Sequence, residues 1–185
     1  MQSTKQTVSD AMILEWLQTP ATFEKGFSCM LRQYQERIYW HIRRMVVHHE
    51  DANDVVQNTF MKVYKGIKNF KGNAKLYTWL YRIATNEALT FLQKKKRRPT
   101  TSLESEDNHL ANQLKADVYF DGNEIQRKLQ LALDILPEKQ RLVFNMRYFD
   151  EMPYKDISAV LGTSVGGLKA SYHHAVKKIE QFLKG

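Results

Sequence analysis

Apolar residues recur at three- and four-residue steps over most of this chain, the spacing that builds one apolar stripe on an α-helix. A first series runs through Phe27, Leu31, Tyr34, Ile38, Ile42 and Met45, and stops at His48-His49-Glu50-Asp51. A second follows at Val56, Phe60, Val63 and Ile67, and a third at Leu76, Leu80, Ile83, Ala84 and Phe91, ending in the run KKKRRP. From Pro99 to Asn123 the pattern fades into a polar, acidic stretch, which predicts a flexible linker. Helical spacing resumes with Ile125, Leu129, Ala132 and Leu136, then with a helix begun at Pro137 that carries Val143, Phe144 and Tyr148. Strand-type alternation appears nowhere. The expected fold is all-α, with small helical domains at 1–98 and 124–185 joined by an acidic linker at 99–123.

The last part of the chain carries the most specific signal. In MPYKDISAVLGTSVGGLKASYHHAVKKI, residues 152–179, Pro153 suits a first helical turn and Asp156 lies where the helix dipole favours an anion. Ile157, Val160 and Leu161 form a short apolar stripe. Gly162 supplies the left-handed stop that side chains resist. Thr163 or Ser164 can cap the next helix, whose apolar positions are Val165, Leu168, Tyr172, Ala175 and Ile179. This is the pattern of a helix-turn-helix. The opposite arc holds Gly166, Ala170, His173, His174 and Lys177, with Lys169 at its flank, and its first turns are almost bare of side-chain bulk. Such a face suits close approach to a DNA groove, with phosphates meeting the lysines and Ser164 and Ser171 reaching base edges. A helical hairpin that only packs a core would share the apolar stripe.

Charge changes the picture once it is divided along the chain. The net charge of +8 resolves into +9 over 1–98, −4 over 99–123 and +3 over 124–185, so two basic blocks flank an acidic connector. A polyanion is the natural partner of such blocks, although many housekeeping proteins are as basic. Of the 185 residues, 43% are apolar and 26% charged, ordinary values for a globular protein with a real core. The single Cys29 excludes an internal disulfide and fits a reducing compartment. The N-terminal MQSTKQTVSD lacks a signal-peptide layout, and no apolar run approaches the roughly 18 residues of a membrane span. A cytoplasmic protein without membrane insertion is expected.

Two patches in the first domain exceed what a core requires. In DANDVVQNTFMKVY, Asp51 is a candidate N-cap, and Asp54 shares a polar helix face with Gln57 or Asn58. Dipole-favoured acids on a solvated face would look the same. In FKGNAKLYTWLYRIATN, a glycine-containing loop feeds a helix where Tyr77, Trp79 and Tyr81 alternate with Lys75, Thr78 and Arg82. Rings beside cations suit unpaired bases, with stacking worth about 1–3 kcal/mol per base. Core packing accounts for Leu80, Ile83 and Trp79 equally well.

The order DANDVVQNTFMKVY, GNAKLYTWLYRIATNEALTFLQKKKRR, PEKQRLVFNMRYFDEMPYKDISAVLG and SVGGLKASYHHAVKKI closely resembles a bacterial RNA polymerase sigma factor of the extracytoplasmic function (ECF) class, over about residues 22–183. The resemblance implies that region 2, the first domain, docks on the β′ coiled coil of core polymerase through Asp51, Asp54, Gln57 and Asn58. It implies that Phe70, Asn73, Lys75, Tyr77, Trp79, Arg82 and Asn86 melt and capture the −10 element. Region 4 would place Ser164, Gly166, Gly167, Lys169, Ala170, Ser171, His173, His174 and Lys177 at the −35 element and touch the β flap. The linker would thread the RNA path, and an anti-sigma factor would hold the protein inactive. Departures from the family pattern are Ser171 and His174 where Arg is common, Gly167-Leu168 for Thr-Val, Asn58 for an acid, and Leu76 for Phe.

Metal and catalytic chemistry find little support. Neighbouring residues on a helix diverge by about 100°, so neither His48-His49 nor His173-His174 converges on one ion. No metal and no cofactor is expected. A nucleic-acid enzyme needs a nucleophile or paired carboxylates, whereas Asp54, Glu87 and Asp156 fall in separate segments. No catalysis is expected. The remaining alternative is a stand-alone helix-turn-helix transcriptional regulator, which would need only the last segment.

Overall fold

In a computed structural model, the chain is described over residues 8–97 and 124–184, with side chains in the second stretch from 128 onward. The linker expected at 99–123 and the side chain of Ile125 lie outside those residues. Eight α-helices and no strand occur among the described residues. They are α1 (Asp10–Gln18), α2 (Phe23–Val46), α3 (His49–Gly66), α4 (Leu76–Arg97), α5 (Glu124–Asp134), α6 (Glu138–Tyr148), α7 (Tyr154–Leu161) and α8 (Val165–Lys184). The chain divides into two compact units, with α1, α2, α3 and all but the last two residues of α4 in the first and α5, α6 and α8 in the second.

The first unit is built on the long α2. Ile38 and Ile42 on α2, Val63 on α3 and Leu80 and Ala84 on α4 are fully buried, which turns the three periodic series into one core. Ahead of them, Ser9 caps α1 by accepting a hydrogen bond from the Met12 amide at 3.3 Å. Ile13 and Leu17 seat α1 on α2. Gly26 permits this approach, since a Cβ there would lie 2.9 Å from the Trp16 Cβ. The Tyr34 hydroxyl donates to Asp10, and burial together with that carboxylate pushes its pKa up.

The break between α2 and α3 is sharper than the sequence pattern suggests. Val47 ends α2 at φ 66°, a left-handed conformation rare for a β-branched residue, and its amide still reaches the Arg43 carbonyl at 3.0 Å. His48 is extended at ψ 135° and stands at the N-cap of α3. Asp51, expected at that cap, lies instead inside the first turn. The helix starts where the backbone turns helical, and there the acid still complements the dipole.

In the second unit Ala132, Leu133 and Leu136 pack with Phe144, Ala175 and Ile179 into one apolar cluster. The rings of Phe144 and Tyr172 stack 5.7 Å apart at 13°, tying α6 to α8. Burial raises the Tyr172 pKa. Tyr148, expected on the same stripe, is 55% exposed, because its ring lies outside Phe144 at 5.1 Å rather than beneath it. Between α6 and α7, Arg147 donates to the Met152 carbonyl at 3.1 Å and covers the Tyr154 ring. Pro153 precedes α7, and its carbonyl accepts the helix's opening bonds from Asp156 and Ile157.

Candidate polymerase and promoter interfaces

The exposed side of α3 follows directly from helical phase. Ala52, Val55, Val56, Thr59, Phe60 and Val63 are buried, leaving Asp54, Gln57 and Asn58 on the opposite side, all exposed. Met61 extends that side by a turn and is 51% exposed, a continuation that its apolar character hid in the sequence. Asp51 stands apart from this group. Its carboxylate pairs with Lys95 of α4 at 2.8 Å, and Lys62 pairs with Glu87 further along the same two helices.

The segment before α4 folds around one hydrophobic contact. Gly72 takes φ 72°, a turn that a side chain would strain. Phe70 leans on Trp79 with ring centroids 5.2 Å apart, and Trp79 also lies over Gly66. Both rings remain partly exposed. Asn73, Lys75, Arg82 and Asn86 are exposed. Arg82 and Asn86 fall three and seven residues after Trp79, on one face of α4, while Lys75, just ahead of the helix, turns its ammonium to Tyr77.

The alternating rings do not form a single platform. Residues two apart on a helix point in nearly opposite directions, so Tyr77 diverges from Trp79. Tyr77 instead meets Tyr81 edge-on at 6.3 Å, and the Lys75 ammonium lies 5.5 Å from its ring. Tyr81 is 1% exposed and belongs to the core. Beneath it lies a residue the hydropathy pattern did not single out. His41 of α2 is fully buried, packs its ring 4.8 Å from Tyr81, and places Nε2 3.0 Å from Thr85 Oγ1. A buried polar residue within an apolar stripe is the only sequence signal for it.

The helix-turn-helix takes the expected form at its turn. Gly162 has φ 64°, and Ser164 Oγ accepts from the Gly167 amide at 3.3 Å to cap α8. Ser164 keeps its hydroxyl hydrogen for another partner. Leu168, Ala175 and Ile179 are buried. Val165, expected among them, is 38% exposed, since the first turn projects beyond the apolar cluster. Gly166, Lys169, Ala170, His173, His174 and Lys177 are exposed, whereas Gly167 and Ser171 are partly covered. A Cβ at Gly166 would meet no protein atom within 4 Å; one at Gly167 would come 3.3 Å from Ser164 Oγ. The His173 and His174 rings stand 5.9 Å apart, and among the described residues no three His, Cys, Asp or Glu side chains gather as a metal site.

These faces can be compared with known proteins. The family model for Sigma-70 region 2 matches residues 30–98, and that for Sigma-70, region 4 matches residues 126–179. The RNA polymerase sigma-H factor of Pseudomonas aeruginosa is 31% identical over 169 residues, covering 87% of this chain and 88% of the relative. The ECF RNA polymerase sigma-E factor of Escherichia coli is 28% identical over 183 residues, covering 95% and 94%. Among solved structures, CnrH in complex with the cytosolic domain of CnrY aligns with TM-score 0.70 at 19% identity over 95% of this chain and 97% of that one. The sigma factor RpoE bound to the anti-sigma factor NepR from Bartonella quintana aligns with TM-score 0.69 at 21% identity, over 86% and 98%. These two show the same fold. With both sigma regions present in order and relatives aligned over nearly their whole lengths, the chain belongs to the RNA polymerase sigma factors, in the ECF class.

Proposed function

We propose that this chain grips a promoter with two hands while bound to core RNA polymerase, and so directs promoter-specific initiation. The observation that carries the reading is the presence of both sigma regions in one chain, in family order. A stand-alone regulator would use only the second and leave the exposed face of α3 without a task. Residues 1–98 form the docking and −10 domain, 124–185 the −35 domain, and 99–123 the tether between them.

Each face has a physical role. Asp54, Gln57 and Asn58 offer carboxylate and amide groups to the β′ coiled coil, and Asp51 adds its carboxylate on release from Lys95. Phe70, Asn73, Lys75, Tyr77, Trp79, Arg82 and Asn86 hold the opened −10 strand. Extruding a base costs a few kcal/mol of unstacking. Stacking at about 1–3 kcal/mol per base, with cations on the phosphates, offsets it. At the −35 element, α8 enters the major groove: the bare turn at Gly166 and Gly167 allows close approach, while Lys169 and Lys177 meet phosphates. Ala170, Ser164, Ser171, His173 and His174 complete that face, and the region also touches the β flap.

Partners and place follow from the same reading. The two structural neighbours were solved with an anti-sigma factor and with the cytosolic domain of CnrY. An anti-sigma factor is accordingly a proposed partner of this chain. None of its described helices is long and apolar enough to cross a membrane, and we place its work in the cytoplasm, without catalysis or cofactor.

Run-off transcription with purified core polymerase tests the whole reading. Promoter-dependent transcripts should appear only when the chain is added. Failure to associate with core would overturn it. Binding to a palindromic duplex as a dimer, with no effect on core, would favour the stand-alone regulator.

A further inference from the structure

We infer that His41, fully buried in α2, is a positioning residue for promoter opening, holding Tyr77 in place from below. The inference rests on the reading of the 70–86 segment as the base-capture element. Its physical basis is a continuous stack. The Lys75 ammonium lies over Tyr77, Tyr77 meets Tyr81 edge-on at 6.3 Å and 83°, and Tyr81 lies 4.8 Å from the His41 ring. Tyr77 is half-buried, but Tyr81 and His41 are sealed in the core, so the outer ring takes its place from the inner two.

The hydrogen bonding fixes the inner end. Thr85 Oγ1 donates its only hydrogen to the Tyr81 carbonyl at 2.7 Å, so the oxygen can meet His41 Nε2 only as an acceptor. The imidazole is therefore protonated at Nε2, and it holds α4 through Thr85 while its ring bears on Tyr81. These two contacts fix both the rotation of α4 and the ring beneath Tyr77. An aliphatic side chain of similar size would fill the space without setting a ring against Tyr81. A polar ring at a fully buried position is otherwise a poor choice, because unmet hydrogen bonds in the interior are costly.

The test compares promoter opening by the full chain with core polymerase on an ordinary duplex and on a template already melted around the start site. His41→Leu is expected to slow opening of the duplex about three- to tenfold, the rate equivalent of losing one aromatic pair. Core affinity and transcription from the pre-melted template should stay within about twofold, since unstacking no longer has to be offset there. His41→Phe, which keeps a ring against Tyr81, should recover most of the rate. Should His41→Leu not fold, His41→Gln removes the ring while keeping an amide within reach of Thr85, and carries the same expectation. Normal opening in a folded ring-free variant would overturn the inference. Equal losses on both templates would also overturn it, by reducing His41 to a structural role. Tyr77→Ala separates the underlying reading: if it opens the duplex normally, the base-capture assignment has failed, independently of His41.

Discussion

Lys95 Nζ lies 2.8 Å from Asp51 Oδ2, joining the last turn of α4 to the first turn of α3. The carboxylate that family resemblance assigns to polymerase docking is thus already engaged within the domain. A partner that uses Asp51 must compete with Lys95. An ion pair at this exposure is worth about 0–1 kcal/mol, up to roughly a fivefold change in an equilibrium. Lys95→Ala is expected to raise core affinity by up to about that factor, whereas Asp54→Ala and Gln57→Ala lower it. Titrating labelled protein with core polymerase measures this. A weaker complex from Lys95→Ala would show that Asp51 only braces α3 against α4.

The pair Trp79 and Lys75 separates capture from docking. Trp79 on α4 and Lys75 just ahead of it are distinct from the α3 residues assigned to docking, so Trp79→Ala with Lys75→Ala should slow promoter opening at least about tenfold and leave core association within about twofold. Trp79 also supports Phe70, and its removal should cost about 1–2 kcal/mol of stability. Opening is therefore compared at a temperature where thermal melting finds both proteins folded. Normal opening there would remove these residues from the −10 assignment.

Periodicity made the helices legible because burial on one side of a helix leaves a mark every three or four residues. Ile38, Ile42, Val63, Leu80 and Ala84 are buried as their spacing predicts. Gly162 was equally plain, since a left-handed stop selects glycine. What the sequence hid depends on distant contacts. Whether Asp51 caps α3 turns on where Val47 and His48 leave helical geometry, and an acid near the start fits either position. Tyr81 packs in the core against His41, forty residues earlier in another helix, while Tyr77 reaches partly to the surface. Val165 satisfies the helical phase yet projects past its cluster, a question of where the neighbouring helices end.

The second unit should carry a small acid-side stability slope centred on Asp134. Burial is the leading cause raising its carboxyl pKa, even though Arg141 at 3.3 Å and Gln130 at 3.4 Å favour the charged form. A raised native value means the folded unit binds the proton more tightly than the unfolded chain. Stability from this group therefore falls as pH rises from the ordinary carboxylate range through the raised native value, and is fully present only below that window. Urea unfolding of the full chain, followed across the mildly acidic range, should show this slope in the wild type. Asp134→Asn, which still accepts from Arg141, should flatten it. An unchanged slope would assign the pH dependence to other groups.

Gly166 offers a test in which fold and docking pull in opposite directions. It is the second residue of α8, its φ is not left-handed, and a Cβ there would meet no protein atom within 4 Å. Nothing within the chain asks for glycine, which in a helix interior costs about 0.8–1.0 kcal/mol relative to alanine, and less in a first turn. Gly166→Ala should accordingly raise thermal stability slightly. If α8 brings this turn against DNA, the same methyl group should weaken binding to the −35 duplex, and it should do so without changing the salt dependence, because no phosphate contact is removed. Lys169→Ala supplies the contrast: its loss should lower the salt slope by about one unit if it neutralises one phosphate. Gly167→Ala is less informative, since its Cβ presses on the Ser164 cap and disturbs the helix start itself. A Gly166→Ala protein that is more stable and binds the −35 duplex as tightly as before would mean that this turn stands clear of the groove, and that α8 reads DNA through Lys169, His173 and Lys177 alone.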